Sequence, residues 1–245
     1  YHMSMLRRFV RVLKNIAYPK ICLGCKTRLE PHLADEYICS RCRLKIKKNT
    51  PPFCHSCGRH LEKNNRHKNI CPACLRNKLR FDRAFSPCLY EGVLKELIHE
   101  FKYKGKTHLA QPLSKMMTDF IREYDFPIEY MDFIIPMPLH KAREREREFN
   151  QAEVLGRHVA FEFNKGLKNN LLRRERLTQT QTGLANDRRF LNVENSFNVA
   201  KDIDLKDKNV LIVDDVLTTG ATSSAAAAAL KSAGANIVFV LTLAN

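Results

Sequence analysis

The chain has 245 residues, of which 44% are hydrophobic and 28% charged, and its formal net charge at neutral pH is +16. This length is enough for one good hydrophobic core plus a small module. No apolar run reaches the length of a membrane-spanning helix, and the regularly spaced charges near the start exclude a signal peptide. These features predict a soluble, cytoplasmic protein.

The excess positive charge lies almost entirely in the first third of the chain. Residues 1–80 contain 19 basic and 4 acidic residues, whereas residues 81–245 contain 23 and 22. Such an asymmetry favours a polyanionic partner for the N-terminal part. We predict three segments: an N-terminal basic helix over 1–20, a small module over 21–80 and a larger domain over 81–245.

The first segment has the pattern of a basic amphipathic helix. Over residues 5–17, apolar side chains recur at helical spacing with Arg and Lys between them. Such a helix either lies on a membrane or phosphate surface, or packs against the neighbouring module, and the second alternative is favoured because an apolar stripe usually faces a core. The leading Tyr1-His-Met3 is expected to be a tag remnant, with the native start at Met3 or Met5.

Eight of the nine cysteines form four C-x-x-C pairs, and the first two pairs repeat as the last two at an offset of 32 residues. Two copies of one small module explain this repeat, and each copy supplies four thiolates, enough for one tetrahedral zinc ion. Disulfides are disfavoured, since nothing signals export. We predict pairing within each repeat, with a cross-brace between repeats as the alternative. The predicted ligands are Cys22, Cys25, Cys39, Cys42, Cys54, Cys57, Cys71 and Cys74.

Beyond residue 80 the pattern changes to alternating helices and strands. Two amphipathic helical stripes, over 93–101 and 109–121, precede an apolar strand at 133–136 and a helix that begins near Asn150. A second apolar strand, a helix and a last strand at 237–243 complete the chain. This order predicts an α/β fold with a parallel sheet and right-handed crossovers.

The second apolar strand leads into the most informative segment, which runs from Asn209 to Thr222. Val210–Val213 deliver the pair Asp214 and Asp215 to the carboxyl edge of the sheet, where ligands bind in such folds. The Thr/Gly loop that follows lies at a helix N-terminus, which favours a phosphate, and the two carboxylates suit the hydroxyls of a neighbouring ribose. An ordinary strand, capped turn and helix is the alternative.

Two further segments are candidates for the same edge of the sheet. Residues 136–152 leave the end of a strand and carry Lys141, Arg143, Arg145 and Arg147, which suit a pyrophosphate, although three glutamates interleave with them. Residues 173–189 are long, polar and basic, and form either a mobile lid or an ordinary surface loop.

The Asp214 segment resembles the phosphoribosyl pyrophosphate (PRPP) signature of type I phosphoribosyltransferases. The resemblance implies that Asp214 and Asp215 contact the ribose hydroxyls and that the loop cradles the 5′-phosphate, with magnesium bound to PRPP. It makes Asp214 and Asp215 the candidate catalytic residues. The implied PRPP-binding residues are Asp214, Asp215, Val216, Leu217, Thr218, Thr219, Gly220, Ala221 and Thr222.

Across most of its length the chain resembles the ComF family, of the ComFC type. The matching segments are the double C-x-x-C repeat, Phe101-Lys-Tyr-Lys-Gly105, Pro136-Met-Pro-Leu-His140, Arg145-Glu-Arg-Glu-Phe-Asn-Gln-Ala152, Gln181-Thr-Gly-Leu184, Arg188 with Asn192-Val193, and Val213–Thr222. The family fold is a type I phosphoribosyltransferase domain behind a double zinc ribbon. The resemblance adds Pro138, Leu139 and His140 to the PRPP-binding residues.

The family resemblance implies that the protein handles incoming single-stranded DNA in natural transformation, at the cytoplasmic face of the membrane. Its implied partners are single-stranded DNA, PRPP, and the competence helicase and DNA-channel proteins of the uptake machinery. The basic module would then contact nucleic-acid phosphates, with Phe53 stacking on a base. The candidate residues are Lys20, Lys26, Arg41, Arg43, Lys45, Lys47 and Lys48.

Two function classes therefore compete. The chain is either a nucleic-acid-handling protein whose PRPP fold is a ligand pocket, or a working phosphoribosyltransferase with an unknown acceptor.

One position departs from the family pattern, because Glu148 stands where the family usually has Gly. Glutamate there would be strained if the position needs a positive φ, and would repel the ligand if the position approaches pyrophosphate.

Overall fold

The structure is a computed structural model and describes residues 20–29, 37–62, 69–175, 196–200 and 203–245. The predicted helix over 5–17 and the greater part of segment 173–189 lie outside these residues. The described helices are α1 (Ser40–Leu44), α2 (Pro72–Arg76), α3 (Gly92–Tyr103), α4 (Ala110–Glu123), α5 (Lys141–Arg147), α6 (Gln151–Glu162) and α7 (Ala221–Ser232). The described strands are β1 (Arg83–Phe85), β2 (Phe133–Pro136), β3 (Gly166–Leu167), β4 (Leu172–Arg174), β5 (Phe197–Val199), β6 (Asn209–Val216) and β7 (Ile237–Ala244).

Five strands form a parallel sheet in the order β1-β7-β6-β2-β3. Helices cover both of its faces, as the alternating pattern predicted, so the predicted α/β fold is confirmed. Strands β4 and β5 pair separately as a short antiparallel ribbon. The main helices and strands of the larger domain follow the predicted order. The structure adds helix α5, the short strands β1, β3, β4 and β5, and two short 3₁₀ helices.

The central strand β6 is apolar on both faces because each face packs on a different core. Leu211 and Val213 join the core formed with α3, α4 and α6. Val210 and Ile212 join the core formed with α7 and the β4–β5 ribbon. A strand buried on both sides reads as a continuous apolar run, and all four residues are fully buried. The strand is therefore a rigid base for the acids at its end.

The zinc-ribbon module docks on the edge of this sheet at β1. The amide of Ala84 donates to the carbonyl of Ser56 at 2.7 Å, and Gly58 lies so close that a Cβ there would be 2.2 Å from the Ala84 carbonyl oxygen. Gly58 has a φ of 69°, so both its conformation and this contact require glycine. The second repeat is thus fastened directly to the edge strand.

The segment between the two repeats strengthens this attachment. Asn49 is buried, and its amide donates to the carbonyls of Gly58 at 2.8 Å and Ser86 at 2.9 Å. Its side-chain oxygen accepts from the His60 amide at 3.0 Å. One fully satisfied side chain therefore joins the second repeat to the chain that follows β1.

Among the described residues, no helix is both long enough and apolar enough to cross a bilayer.

Candidate functional site

The acid pair lies at the carboxyl end of β6, in the centre of the sheet. Asp214 is opposite Thr242 of β7, and Asp215 is 8% exposed. The Asp215 amide donates to Asp214 Oδ1 at 2.8 Å, which fixes the orientation of the first carboxylate. The structure therefore places both predicted acids at the sheet edge where α/β proteins bind ligands.

Lys102, near the C-terminus of α3, forms an ion pair with this acid pair. Its Nζ lies 2.8 Å from Asp215 Oδ1, and the two side chains are only 16% and 11% exposed. Burial opposes the ammonium charge, but the Asp215 carboxylate outweighs it and raises the pKa of Lys102 above its ordinary value. The lysine stays protonated and neutralises part of the charge of the acids.

The pKa of Asp214 is also raised, but for a carboxyl group this shift favours the neutral form. Burial, together with the adjacent Asp215 carboxylate, raises the pKa of Asp214 to about 7, although Lys102 opposes the shift. Two carboxylates that share one cation ionise with difficulty in the same small volume. Asp214 is therefore harder to ionise than an ordinary aspartate, and a ligand or ion that favours its carboxylate would promote its ionisation.

Lys102 was missed by the sequence analysis, although its segment was noted as part of the family pattern. The segment that contains Lys102 is held in place by Gln151, which is 1% exposed. Its Nε2 donates to the Lys102 carbonyl at 3.5 Å, and its Oε1 accepts from Arg147 Nη1 at 2.9 Å. Arg147 also stacks over the Tyr103 ring, with its Cζ 4.8 Å from the ring centroid. Two separated sequence segments thus form one support for the acid pair.

The predicted phosphate loop follows directly after β6. Gly220 caps the N-terminus of α7 with a φ of 80°, and the Ser224 amide donates to its carbonyl at 2.8 Å. Thr219 Oγ1 accepts from the Ala221 amide at 3.4 Å, and Thr218 is exposed. The loop therefore ends at the positive end of a 12-residue helix, as an anion site requires.

The second zinc repeat and the chain after it form one wall of this loop. A Cβ at Gly220 would lie 3.1 Å from the Leu79 side chain, and 3.6 Å from the Phe81 ring. Arg59, in the second repeat, donates from Nη2 to the Thr218 carbonyl at 3.3 Å. The phosphate loop is therefore supported by the zinc module as well as by its own helix.

The segment predicted to bind pyrophosphate is partly helical rather than a simple loop. Helix α5 begins after His140, whose Nδ1 accepts from the Ala142 amide at 3.2 Å. Pro138 is buried, and Leu139 and His140 are half-buried. His140 therefore acts as the cap of α5 in this structure, and its predicted contact with PRPP stays a prediction. The alternating charges hid the helix, because they show no apolar stripe.

Glu148 ends α5 in the left-handed conformation, with φ 65° and ψ −9°. Of the two reasons considered for glycine at this position, the structure shows the first, a positive φ. A side chain with a Cβ is disfavoured there because it approaches the carbonyl that follows.

Glu148→Gly is expected to raise the free energy of unfolding by roughly 0.5–1 kcal/mol, since glycine adopts this φ without strain. Urea denaturation measures the change. Glu146→Gly is the matched control: it lies inside α5 and should lower stability by about 1 kcal/mol. Glu148→Gln keeps the strain and removes the charge, so a gain in PRPP affinity in this variant would measure the electrostatic repulsion between Glu148 and the ligand. Equal losses from both glycine variants would contradict the strain argument.

The eight predicted cysteines come together in two sets of four. The sulfur atoms of Cys22, Cys25, Cys39 and Cys42 lie within 4.8 Å of one another, and so do those of Cys54, Cys57, Cys71 and Cys74. This is the arrangement within each repeat rather than the cross-brace. The structure therefore confirms the predicted pairing within each repeat.

The two sets share the same geometry at the offset of 32 residues. The sulfur–sulfur distance is 3.7 Å between Cys25 and Cys39, and 3.6 Å between Cys57 and Cys71. A tetrahedron of thiolates with Zn–S bonds of about 2.3 Å has edges of about 3.8 Å. The amide of Cys39 donates to Cys22 Sγ, and that of Cys71 to Cys54 Sγ, each at 3.3 Å. Both sets fit a structural zinc ion, with all four positions filled by protein.

The seven predicted nucleic-acid residues are all exposed, but three of them hold the ribbon to the larger domain. Lys26 pairs with Glu100 and Lys47 with Glu91, each at 2.6 Å, and Lys48 pairs with Glu123 at 3.5 Å. Sequence analysis could not anticipate these pairs, because the acids lie far along the chain. The charge available to a polyanion on this side is therefore smaller than the net charge of the segment suggests.

Phe53 has a structural contact that the sequence did not predict. Its ring is half-buried and packs edge-on against Tyr124 at 5.3 Å and Phe120 at 6.0 Å, between centroids. It joins the ribbon module to α4, and its stacking on a base stays a prediction.

Two domain families match the chain, in the order that the structure shows. The double zinc ribbon domain matches residues 13–76. The phosphoribosyl transferase domain matches residues 157–245, which include β6, the acid pair and the phosphate loop. Relatives similar over most of the chain carry related names. Competence protein F of Haemophilus influenzae is 29% identical over 227 residues, which cover 91% of this chain and 96% of the relative.

Competence protein ComFC of Bacillus subtilis is 28% identical over 238 residues, 87% of this chain and 90% of the relative. The chain is therefore similar over most of its length to competence proteins of the ComF type, and it carries both domains that this resemblance implied. The DNA utilization protein YhgH of Escherichia coli K12 is 27% identical over 227 residues, 92% of this chain and 96% of the relative. The predicted family resemblance is confirmed. In this chain the zinc ribbon and the transferase-like domain are in contact at the loop that follows β6.

Proposed function

We propose that this chain binds PRPP at the carboxyl edge of the sheet. Asp214 and Asp215 would accept hydrogen bonds from the ribose hydroxyls, and the loop from Thr218 to Thr222 would hold the 5′-phosphate. The observation that carries the proposal is the position of the acid pair and the helix-capping loop at the end of one rigid, fully buried strand. Lys102 leaves the pair partly neutralised, which suits a hydroxyl ligand better than an isolated divalent ion.

Magnesium would enter with PRPP. The site offers carboxylate oxygens, the ligands that magnesium prefers, and a ligand-borne ion would favour ionised Asp214. The pyrophosphate of PRPP would then extend towards α5, where Arg147 is held by Gln151 and Tyr103.

We further propose that the protein handles incoming single-stranded DNA during natural transformation, on the cytoplasmic side of the membrane. The names of its relatives, competence proteins and DNA utilization proteins, support this role. The uptake helicase and DNA-channel proteins would be its partners. The zinc module would supply the DNA contacts.

Helix α1 is the part of the module best suited to DNA. Arg41 in this helix and Lys45 at its C-cap are exposed, and neither forms an ion pair with another described residue. Leu44, between them, is 87% exposed, although an apolar side chain gains nothing from water. Two cations beside an apolar side chain can contact phosphates and an unstacked base together.

Single-stranded DNA is expected to bind more weakly as salt rises, and Arg41→Glu with Lys45→Glu should reduce both the affinity and its salt dependence. Each lost phosphate contact lowers the slope of log affinity against log salt by about 0.7–1. Fluorescence anisotropy of a labelled oligonucleotide, from low to moderate salt, measures both quantities.

Lys95→Glu with Lys115→Glu is the matched control, because it changes the net charge equally at residues of α3 and α4 that are not part of the ribbon. The DNA role is rejected if the native protein fails to bind at low salt or shows no salt slope. Equal effects of the two double variants would reject α1 as the contact surface.

An active phosphoribosyltransferase is the alternative function. In that reaction an acceptor nucleophile displaces pyrophosphate from the anomeric carbon, and the protein contributes positioning and charge stabilisation. One observation favours it: the phosphoribosyl transferase domain family matches residues 157–245, which contain the acid pair and the loop that follows β6. Release of pyrophosphate from PRPP with added bases or nucleotides would distinguish catalysis from binding alone.

A further inference from the structure

The acid pair at the end of β6 has a partner cation from a different element, Lys102 of α3. Its Nζ lies 2.8 Å from Asp215 Oδ1, and the side chains of Lys102 and Asp215 are only 16% and 11% exposed. A largely buried ammonium group at this distance occupies one side of the carboxylate. A free divalent cation could reach that oxygen only by displacing Lys102.

Other basic side chains face the same two acids. Half-buried Arg174 of β4 lies near enough to Asp214 to oppose the rise in its pKa that burial and the adjacent carboxylate cause. Burial and, to a smaller extent, Arg147 of α5 lower the pKa of Lys102, but Asp215 outweighs them. The titratable and charged groups that face the pair from the described elements are Lys102, Arg147, Arg174, Tyr90 and Tyr103. Among the described residues, cations therefore balance the two carboxylates and leave little negative charge to attract a divalent cation.

Lys102 is held in place before any ligand binds. The residue before it, Phe101, is fully buried and packs on the Phe149 ring, with 5.5 Å between the ring centroids. The Lys102 carbonyl accepts from Gln151 Nε2 at 3.5 Å. A charge that is fixed in advance needs no reorganisation when a ligand arrives. The fold therefore presents this ammonium group to Asp215 as a permanent part of the site.

We propose that Lys102 is a positioning residue that acts as the resident cation of the acid pair, so that sugar hydroxyls bind there without a free divalent cation. Lys102 keeps Asp215 ionised and oriented, and the carboxylate oxygens that remain accept from the hydroxyls. Magnesium is then needed only by the pyrophosphate of PRPP, which brings it. The inference rests on the proposed PRPP site for the identity of the ligand, whereas the charge of the acid pair depends on the ion pair alone.

Ribose 5-phosphate tests this role, because it carries the sugar hydroxyls and the 5′-phosphate but no pyrophosphate. Isothermal titration calorimetry compares its affinity with and without magnesium, in buffers free of chelators so that the zinc sites are not stripped. The native protein is expected to have the same affinity in both buffers. Without magnesium, Lys102→Met should bind about tenfold more weakly, since hydrogen bonds to neutral acids are about half as strong as those to carboxylates. Magnesium should restore part of this loss, because the unpaired carboxylates can then coordinate it.

Two further variants separate the charge of Lys102 from its packing and from the overall charge. Lys102→Arg keeps the positive charge and should retain most of the affinity. Lys104→Met is the matched control: it removes the same charge two residues further along, and it leaves Glu100 paired with Lys26 at 2.6 Å. It should bind ribose 5-phosphate as the native protein does in both buffers.

A measurement without ligand follows the acids themselves. In protein with ¹³C-labelled aspartate carboxyl groups, the NMR signals of the pair are those missing from the Asp214→Ala, Asp215→Ala double variant. The pair should take up protons at higher pH in Lys102→Met than in the native protein, because the cation that favours the carboxylates is gone. A lysine that only supports the fold would not shift this titration, and Lys104→Met should not shift it either.

The inference is overturned if Lys102→Met matches Lys104→Met in both measurements, or if the native protein needs magnesium to bind ribose 5-phosphate. A loss of affinity that magnesium does not reduce, with an unshifted titration, would assign Lys102 to the fold alone and overturn it as well. If the native protein binds neither PRPP nor ribose 5-phosphate, the proposed function fails. The NMR titration then decides the inference separately: an unshifted titration rejects Lys102 as the resident cation, and a shift to higher pH supports it.

Discussion

Replacing Asp214 and Asp215 together by alanine is expected to abolish PRPP binding. Each ionised carboxylate makes charge-assisted hydrogen bonds worth about 1.5–3 kcal/mol, so losing both should weaken affinity by about 100-fold or more. Calorimetric titration with magnesium and PRPP measures the loss. Zinc content should not change, because the two metal sites lie in the ribbon module.

The same double variant should also lose stability, for a reason independent of the ligand. It leaves the largely buried Lys102 ammonium without its partner, at a cost of roughly 3 kcal/mol. Adding Lys102→Met should restore much of that stability without restoring PRPP binding. This triple variant separates a lost ligand contact from a damaged fold.

Asp132 offers a matched acid at the opposite end of the same strands. It accepts from the Asn209 amide at 2.8 Å and pairs with Lys208 at 3.3 Å. Asp132→Ala should lower stability modestly and leave PRPP affinity intact. Retention of PRPP affinity by the Asp214–Asp215 double variant would show that the site is assigned to the wrong residues.

Serine at Cys57 and Cys71 is expected to remove the second zinc ion and to weaken PRPP binding with it. A structural zinc site contributes strongly to folding, and its loss should cost about 4 kcal/mol or more. The loss should reach the phosphate loop because Arg59 contacts the Thr218 carbonyl. Metal analysis, chemical denaturation and PRPP titration together measure the three effects.

The first repeat provides the matched control, since Cys25 and Cys39 occupy the equivalent positions. Serine at these two residues should also remove one zinc ion. The first repeat packs on α3, where a Cβ at Gly24 would lie 3.0 Å from the Val93 side chain. The variant of the first repeat should therefore change PRPP binding much less. Equal effects of the two double variants on PRPP affinity would argue against the special support of the loop by the second repeat.

The sequence predicted best where one local pattern decides the structure. The run Val210–Val213 is apolar because both faces are buried, and the two acids end the same strand before the turn at Gly220. The cysteine repeat was equally informative about the number of metal sites. Its pairing was not, since thiolates at one spacing fit either topology, and the choice depends on contacts in three dimensions.

Contacts between distant segments could not be predicted. Lys102 is 113 residues from Asp215 along the chain, and helical periodicity says nothing about what the end of α3 meets. The same limit explains why Lys26, Lys47 and Lys48 looked available to DNA, while the structure pairs them with acids of α3, α4 and the turn before α3. Helix α5 was missed for a local reason, because alternating charges carry no hydrophobic signal.

The hydrogen bond between Ser56 and Ala84 has a consequence for the self-association of the protein. A parallel sheet whose outer strand is uncovered presents unpaired amides and carbonyls to other chains. Here a zinc-stabilised turn covers that strand, with Gly58 pressed against it. Loss of zinc from the second repeat would therefore expose the edge of β1, where a strand of another chain could pair with it. Removal of zinc from the second repeat is therefore expected to increase self-association of the protein, which light scattering would measure.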